Sequence, residues 1–300
     1  MMPFAIVLGI LIPQANVLSF LQPYLIGLMM FLTFVSRVPP QKHGFTFRIE
    51  IRALTGGLFL VFLLWLAYKF LGLPLDFLLA GSLLALCPPA NAAPAMSRML
   101  GGNPVLMLKI FVVGNCIACI TIPLIFGFFT NAGSPGTYLS MAMAIFNKMQ
   151  PIITIPLALA LGIRAFYPEF ADKLVKFQKY TVLLWTLAVF IILSKASFDV
   201  RQMANLDMKI FVGMAVLAAV LCALLFAIGW FAERGEHPIE ASQSMGQKNT
   251  VLIILIAQIF AKDWPLVSLG PIWYVVWQNI VLSYMTAKVK PEPDGELPAK

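Results

Sequence analysis

Charge is what this sequence has least of. Asp, Glu, Lys and Arg make up 11% of its 300 residues, against 60% for the hydrophobic types, whereas a soluble domain carries about a quarter charged residues. With a mean hydropathy of +0.89, the chain is expected to live in a bilayer. A spanning helix needs about 20 apolar residues, so the length leaves almost nothing for a fused soluble domain. Histidine is nearly absent: His43 and His237 both fall in polar connections. The four cysteines, Cys87, Cys116, Cys119 and Cys222, sit inside apolar runs and read as small packing residues. Cys116 and Cys119 form a C-x-x-C with no second pair or histidine beside it, so no metal set and no cofactor is expected. Metalloprotease and serine-hydrolase motifs are missing, and no aspartate lies within a span; an enzyme is not expected. No basic leader precedes the stretch from Pro3 to Pro13, so no cleavable signal is expected.

Apolar blocks fall near 3–16, 19–36, 53–72, 74–100, 104–129, 138–163, 180–195, 209–232, 238–261 and 266–287. These predict an all-α membrane protein of ten transmembrane helices, the first of them short. Breakers punctuate the connections at Val38-Pro39-Pro40, Gly72-Leu73-Pro74, Gly133-Ser134-Pro135-Gly136 and Asp263-Trp264-Pro265. With both termini cytoplasmic, the inner connections hold thirteen cations: Arg37, Lys42, Arg48, Arg52, Arg98, Arg164, Lys173, Lys176, Lys179, Arg234, Lys288, Lys290 and Lys300. The outer side holds five: Lys69, Lys195, Arg201, Lys209 and Lys262. The positive-inside rule fixes that orientation, and it accounts for the net charge of +8 without a nucleic-acid partner. Trp65, Trp185, Trp264 and Trp273 lie toward segment ends and read as interfacial anchors in contact with lipid. Three lysines remain inside segments. Lys109 lies near the start of the fifth, where snorkelling relieves it; Lys148 lies midway along the sixth; Lys248 lies within the ninth.

Two segments are interrupted. The fourth contains Cys87-Pro88-Pro89-Ala90-Asn91-Ala92-Ala93-Pro94. Each proline deletes a donor and frees a carbonyl four residues earlier, and such groups survive in hydrocarbon only when packed in protein or facing a wet cavity. The ninth carries Glu240-Ala-Ser242-Gln243-Ser244-Met-Gly246-Gln247-Lys248-Asn249-Thr250, in which nine of eleven residues are polar or glycine. An amphipathic surface helix would leave its apolar second half unexplained. The breaks occupy the fourth place in each set of five segments, the pattern of inverted-repeat transporters whose discontinuous helices meet at the midplane. Two inverted five-helix repeats are therefore expected, over 1–132 and 133–288, with a polar cytoplasmic tail at 289–300. Half-helix N-termini favour anions.

In these residues the chain resembles the bile acid:sodium symporter family over nearly its whole length. The fourth-segment break resembles that family's Cys-Pro-Gly-Gly-Thr-Ala-Ser-Asn, Gly101-Gly102-Asn103 its short inner turn, Gly246-Gln247-Lys248-Asn249-Thr250 its Gly-Met-Gln-Asn-Ser, and Trp277-Gln278-Asn279 its Trp-His-Asn. The resemblance implies a panel of the first, second, sixth and seventh helices and a core of the other six, holding the two crossed breaks. It also exposes departures at the positions that hold sodium in that family. The acid before the motif glycine is Ser244, the motif glutamine is Lys248, the Ser-Asn pair is Ala93-Pro94, the fifth-segment hydroxyls fall on Met107 and Phe111, and a third-segment glutamine falls near Gly56. Few hard oxygen ligands remain.

A lysine arrives where the acid leaves, so an ammonium can occupy the place of a bound monovalent cation. Three roles stay open for Lys248: a permanently charged strut, a proton switch that desolvation makes ready to release its proton, and a direct counter-ion to a carboxylate, since no Asp or Glu is expected deep in a span to pair with it. Asn91, Gln243, Ser244, Gln247, Asn249, Thr250 and Asn279 are the expected polar lining of the substrate site and crossing, and Pro88, Pro89, Pro94 and Gly246 the helix-break residues. The expected function is sodium-independent alternating-access transport of a small organic anion in a bacterial inner membrane, with a proton as the other candidate partner. A sodium-coupled symporter with a rearranged ion site is the nearest alternative. A channel would need polar stripes along several spans, and a retinal photoreceptor fits two broken helices poorly.

Overall fold

The computed structural model describes residues 2–35, 47–130, 135–202, 207–261 and 264–288. Among them the chain is helical throughout, without a named strand. The helices in order are α1 (Met2–Leu11), α2 (Gln22–Phe34), α3 (Arg48–Phe70), α4 (Leu75–Leu86), α5 (Ala93–Met99), α6 (Pro104–Thr130) and α7 (Pro135–Phe166). They continue as α8 (Pro168–Val175), α9 (Thr181–Gln202), α10 (Met208–Ala232), α11 (Pro238–Gly246), α12 (Thr250–Phe260) and α13 (Leu269–Lys288). Six of the described helical stretches are long and apolar enough to cross a membrane. Their outward faces carry large apolar side chains such as Phe59, Phe62, Ile120, Leu161 and Val216. A surface of that kind is compatible with lipid as the solvent and incompatible with water.

Every expected apolar block lies on a helix, but boundaries and partition differ. The first two blocks are not two full-length helices. α1 is ten residues long, a tight 3-10 stretch covers Pro13–Leu21, and α2 adds thirteen residues; Pro13, placed at the start of the 3-10 turn, cannot continue α1. The third helix begins at Arg48 rather than 53, so Arg48 and Arg52 lie on a helix and not in a connection. The connection expected over 133–136 yields Pro135 and Gly136 to the start of α7, proline being favoured in a first turn. The short helix α8 between the sixth and seventh blocks was not expected. Arg37, Lys42, His43, Pro39, Pro40, Lys262, Asp263, Lys290, Lys300 and the tail lie outside the described residues.

Packing divides the helices into two groups. One joins α1, the Pro13–Leu21 turn, α2, α7 and α9; the other joins α3, α4, α5, α6, α10, α11 and α13. The groups are joined by α6, which packs extensively on α7 and also touches α2, and by α12, which packs on α13 and α4 and also on α2, α7 and α9. Close approach within the second group depends on missing side chains. A Cβ on Gly229 of α10 would stand 2.4 Å from the Ala241 carbonyl oxygen of α11, and one on Gly57 of α3 would stand 2.8 Å from the Ala85 oxygen of α4. Charge ties the same group at one end: Arg48 Nη2 lies 2.7 Å from Glu233 and also pairs with Glu236, and Arg52 lies 2.5 Å from Glu233. Outside the spans, the Arg48 guanidinium holds the Glu236 carboxyl below its ordinary value.

Because backbone meets backbone at Gly229, Gly229→Val is expected to prevent tight α10–α11 packing and cost about 1–3 kcal/mol or more. Gly162→Val, where nothing lies within 4 Å, is the control. Size-exclusion profiles of both variants after graded heating in detergent check this: only the Gly229 variant should aggregate at lower temperature.

Candidate functional site

The prolines do what their chemistry requires. α4 stops at Leu86, the chain runs extended through Cys87–Pro89, and α5 restarts at Ala93 with Pro94 in its first turn. In the ninth block α11 stops at Gly246 and α12 restarts at Thr250. The two interruptions meet. Pro89 and Lys248 form an antiparallel bridge, with Ala90 N donating to Gln247 O at 2.8 Å and Asn249 N donating to Pro88 O at 2.9 Å. A two-stranded crossing thus absorbs backbone groups that neither broken helix can satisfy alone.

Lys248 completes that crossing. It is 5% exposed, and its Nζ donates to Cys87 O at 2.8 Å and Ala85 O at 3.4 Å. Pro89 lacks the N–H that would have served the Ala85 carbonyl four residues earlier, so the lysine takes over a bond that the proline deletes. It also sets a positive charge at the C-terminal end of α4, where the helix dipole favours one. At the other broken end no cation is needed, since the Tyr274 hydroxyl donates to Gly246 O at 2.8 Å.

The remaining expected residues divide by what they touch. Asn249 caps α12, its Oδ1 accepting from Leu252 N at 3.3 Å; Ser244 Oγ donates to Ala241 O at 2.9 Å within its own helix. Gln243 Nε2 lies 3.6 Å from the Met285 sulfur, and Thr250 is buried with its hydroxyl 3.5 Å from Gln278 Nε2. The Asn91 carbonyl faces Thr33 Oγ1 of α2 at 3.5 Å. Gly246 abuts the Phe226 ring so closely that a Cβ would sit 2.2 Å from it. Several buried polar atoms at the crossing have no hydrogen-bond partner: both ends of the Gln247 amide, Asn91 Oδ1, Asn249 Nδ2 and Gln243 Oε1. Orphaned groups in a buried position call for a guest or for water. At the sodium-ligand positions, Met107 and Phe111 are fully buried apolar side chains, and Phe111 packs on Phe34 at 5.3 Å.

One expectation needs correction. Asn279 does not line the crossing, because its Nδ2 donates to Val275 O of its own helix at 2.7 Å. Its neighbour Gln278 does: fully buried, it accepts from Lys248 N at 3.1 Å. A helix turns about 100° per residue, so adjacent positions face different ways, and the Trp277-Gln278-Asn279 trio contained the right residue one place earlier. A buried ion pair that the sequence reading did not foresee lies near a cleft at the crossing. Glu50 of α3 is 3% exposed, 3.0 Å from the Nζ of Lys109, itself 7% exposed. Both lie in the first turns of their helices, Glu50 third in α3 and Lys109 sixth in α6. Glu50 and Lys248 together line that cleft with Pro88, Pro89, Thr121 and Ser244. The polar start of the third helix was the available signal, had Glu50 been read as part of the span. Lys148 is exposed on α7.

No model of a known protein family matches the chain, and no curated protein is significantly similar to it in sequence.

Gln278→Leu is expected to orphan Lys248 N and cost about 1–3 kcal/mol, while Asn279→Leu removes only a bond within α13 and costs about 1 kcal/mol or less. Thermal unfolding of the two purified variants, followed by intrinsic fluorescence, checks the ranking.

Proposed function

We propose that this chain is a secondary transporter of a small organic anion, built on the bile acid:sodium symporter plan of ten membrane helices in two inverted repeats. It works by alternating access, with no cofactor and no enzymatic step, in a bacterial inner membrane with both termini in the cytoplasm. The observation that carries this reading is the buried ammonium of Lys248 on the carbonyls of the broken α4, bonded at 2.8 Å to Cys87 O. In the sodium-coupled family that the sequence resembles, a recruited metal ion neutralises the crossing. Here the positive charge is part of the chain, and transport needs no sodium.

Three further observations support the reading. Two interrupted helices crossing through their own backbone are the device by which transporters present polar groups at mid-depth. The orphaned amides of Gln247, Asn91 and Asn249 gather at that crossing, where an anion with several acceptor atoms would satisfy the donors among them. Two helix groups, joined through α6 and α12, provide bodies that can move against each other. A channel is less well supported, because the polar side chains concentrate at the crossing instead of lining a continuous path. With two of the three ammonium donors already given to carbonyls, the substrate's carboxylate needs only to complete the set.

A carboxylate is first identified by thermal stabilisation of the purified chain, since a ligand of the folded state raises its stability by mass action. Its uptake into proteoliposomes is expected to be equal in sodium and choline buffers; a steep sodium dependence abolished by changing Asn249 or Thr250 overturns the proposal. Lys248→Ala is expected to abolish uptake. Lys248→Arg, which keeps the charge but does not release a proton at working pH, is expected to bind the carboxylate and lose accumulation driven by a proton gradient.

A further inference from the structure

We propose that Glu50 is the proton-exchanging carboxylate of this transporter, passing a proton along the cleft between Lys248 and the end of the molecule where Arg48, Arg52, Glu233 and Glu236 gather. The inference rests on the reading of Lys248 as a built-in cation and names the route by which its charge is made and unmade.

Geometry sets out the route. The Lys248 ammonium shares the Ala85 carbonyl with the position of Gly57, whose Cβ would stand 2.8 Å from that oxygen. Glu50 is seven residues before Gly57 on the same helix, which is two turns or about 10 Å. Carboxylate and ammonium are thus too far apart to pair and lie at two levels of one cleft, since both line it. On α3 the cleft is lined by Ala53 and Leu54 and on α6 by Ile110 and Gly114, the last closed over by Pro89; the space that remains admits a few waters. Two hydroxyls face the same space. Ser244 and Thr121 each donate to a carbonyl of their own helix, so their oxygens keep lone pairs with which to accept from water.

Glu50 is divided between two tasks. Its Oε1 is held by Lys109 at 3.0 Å, while the buried Oε2 has no hydrogen-bond partner. The other charged or titratable groups near the cleft do not compete for it. Arg48 and Arg52 of α3 are turned to Glu233, just past α10; Glu240 of α11 accepts from Asn103 N; Cys87 presents its carbonyl to Lys248. Proton transfer then balances without a further reactant. The Lys248 ammonium gives up one proton through the waters and becomes a neutral amine, Glu50 Oε2 takes a proton and becomes a carboxylic acid, and water at the charged end receives it as Glu50 re-ionises beside Lys109.

The test uses the full chain in liposomes and the apolar reagent dicyclohexylcarbodiimide, which modifies carboxyls in their protonated form and adds as a stable N-acylurea. Labelling is located by peptide mass from about pH 5 to about pH 9, spanning the reference values of carboxyl groups and the neutral range. Glu50 is expected to be labelled, with labelling falling as pH rises, and Glu50→Gln supplies the blank. Replacing Lys248 by Gln or Met removes a positive charge about 10 Å away, so the labelling midpoint should rise by about one pH unit, roughly tenfold in proton affinity. A Glu50 unlabelled throughout in the unaltered chain overturns the proposal whether or not the variants fold; so does an unmoved midpoint in either folded variant. Labelling requires neither substrate nor gradient. If it fails while Lys248→Ala still abolishes uptake, only the relay is lost; if uptake survives Lys248→Ala, the transport reading itself falls.

Discussion

A helix broken inside hydrocarbon leaves its last carbonyls facing no donor, and the end of its dipole facing no counter-charge. Two such breaks on separate helices would each cost several hydrogen bonds' worth of free energy if left alone. Here they are solved jointly: backbone pairs with backbone between Pro88–Ala90 and Gln247–Asn249, and one side chain, Lys248, supplies both donors and charge for what remains of α4. Much of the second helix group can be read outward from that requirement. Gln278 holds the lysine's backbone, Tyr274 closes the end of α11, and the bare edge of Gly246 lets Phe226 approach. The amine bonds the freed α4 carbonyls without a captured ion, while the unpartnered amides beside it remain.

A cation built into the chain differs from a captured one in how its charge can change. A metal ion arrives and leaves whole, but a buried ammonium changes its charge only by moving a proton. That proton needs a path and a receiver. On the proposed relay, the buried pair of Glu50 with Lys109 places a carboxylate in the same cleft without adding net charge to the interior.

Much of this was legible in the residues. The three prolines around Cys87 and the polar run through Lys248 announced the two breaks, and prolines and polar residues act locally, through dihedral angles and missing donors that no tertiary context can restore. The apolar blocks announced helices for the same local reason. What remained hidden depends on rotation about a helix axis. Whether Gln278 or Asn279 meets the crossing is a question of 100°, and whether Glu50 belongs to a connection or a span is a question of where α3 begins. Neither is written in composition. The split of the first two blocks into α1, a 3-10 turn and α2 follows from a proline at position 13 that also reads as an ordinary connection.

Helix α12 carries a mechanical consequence. Like α6, it contacts both helix groups, and its sequence from Val251 to Ile256 is uninterruptedly aliphatic. The polar contact beside it, Thr33 to Asn91, is at the outer limit of hydrogen-bond length. Aliphatic surfaces bind through area and not direction, so sliding exchanges one set of contacts for an equivalent set without first breaking a directional bond. An aliphatic face of this kind holds the groups together without fixing the direction in which they meet, and leaves orientation to the polar contacts at the crossing.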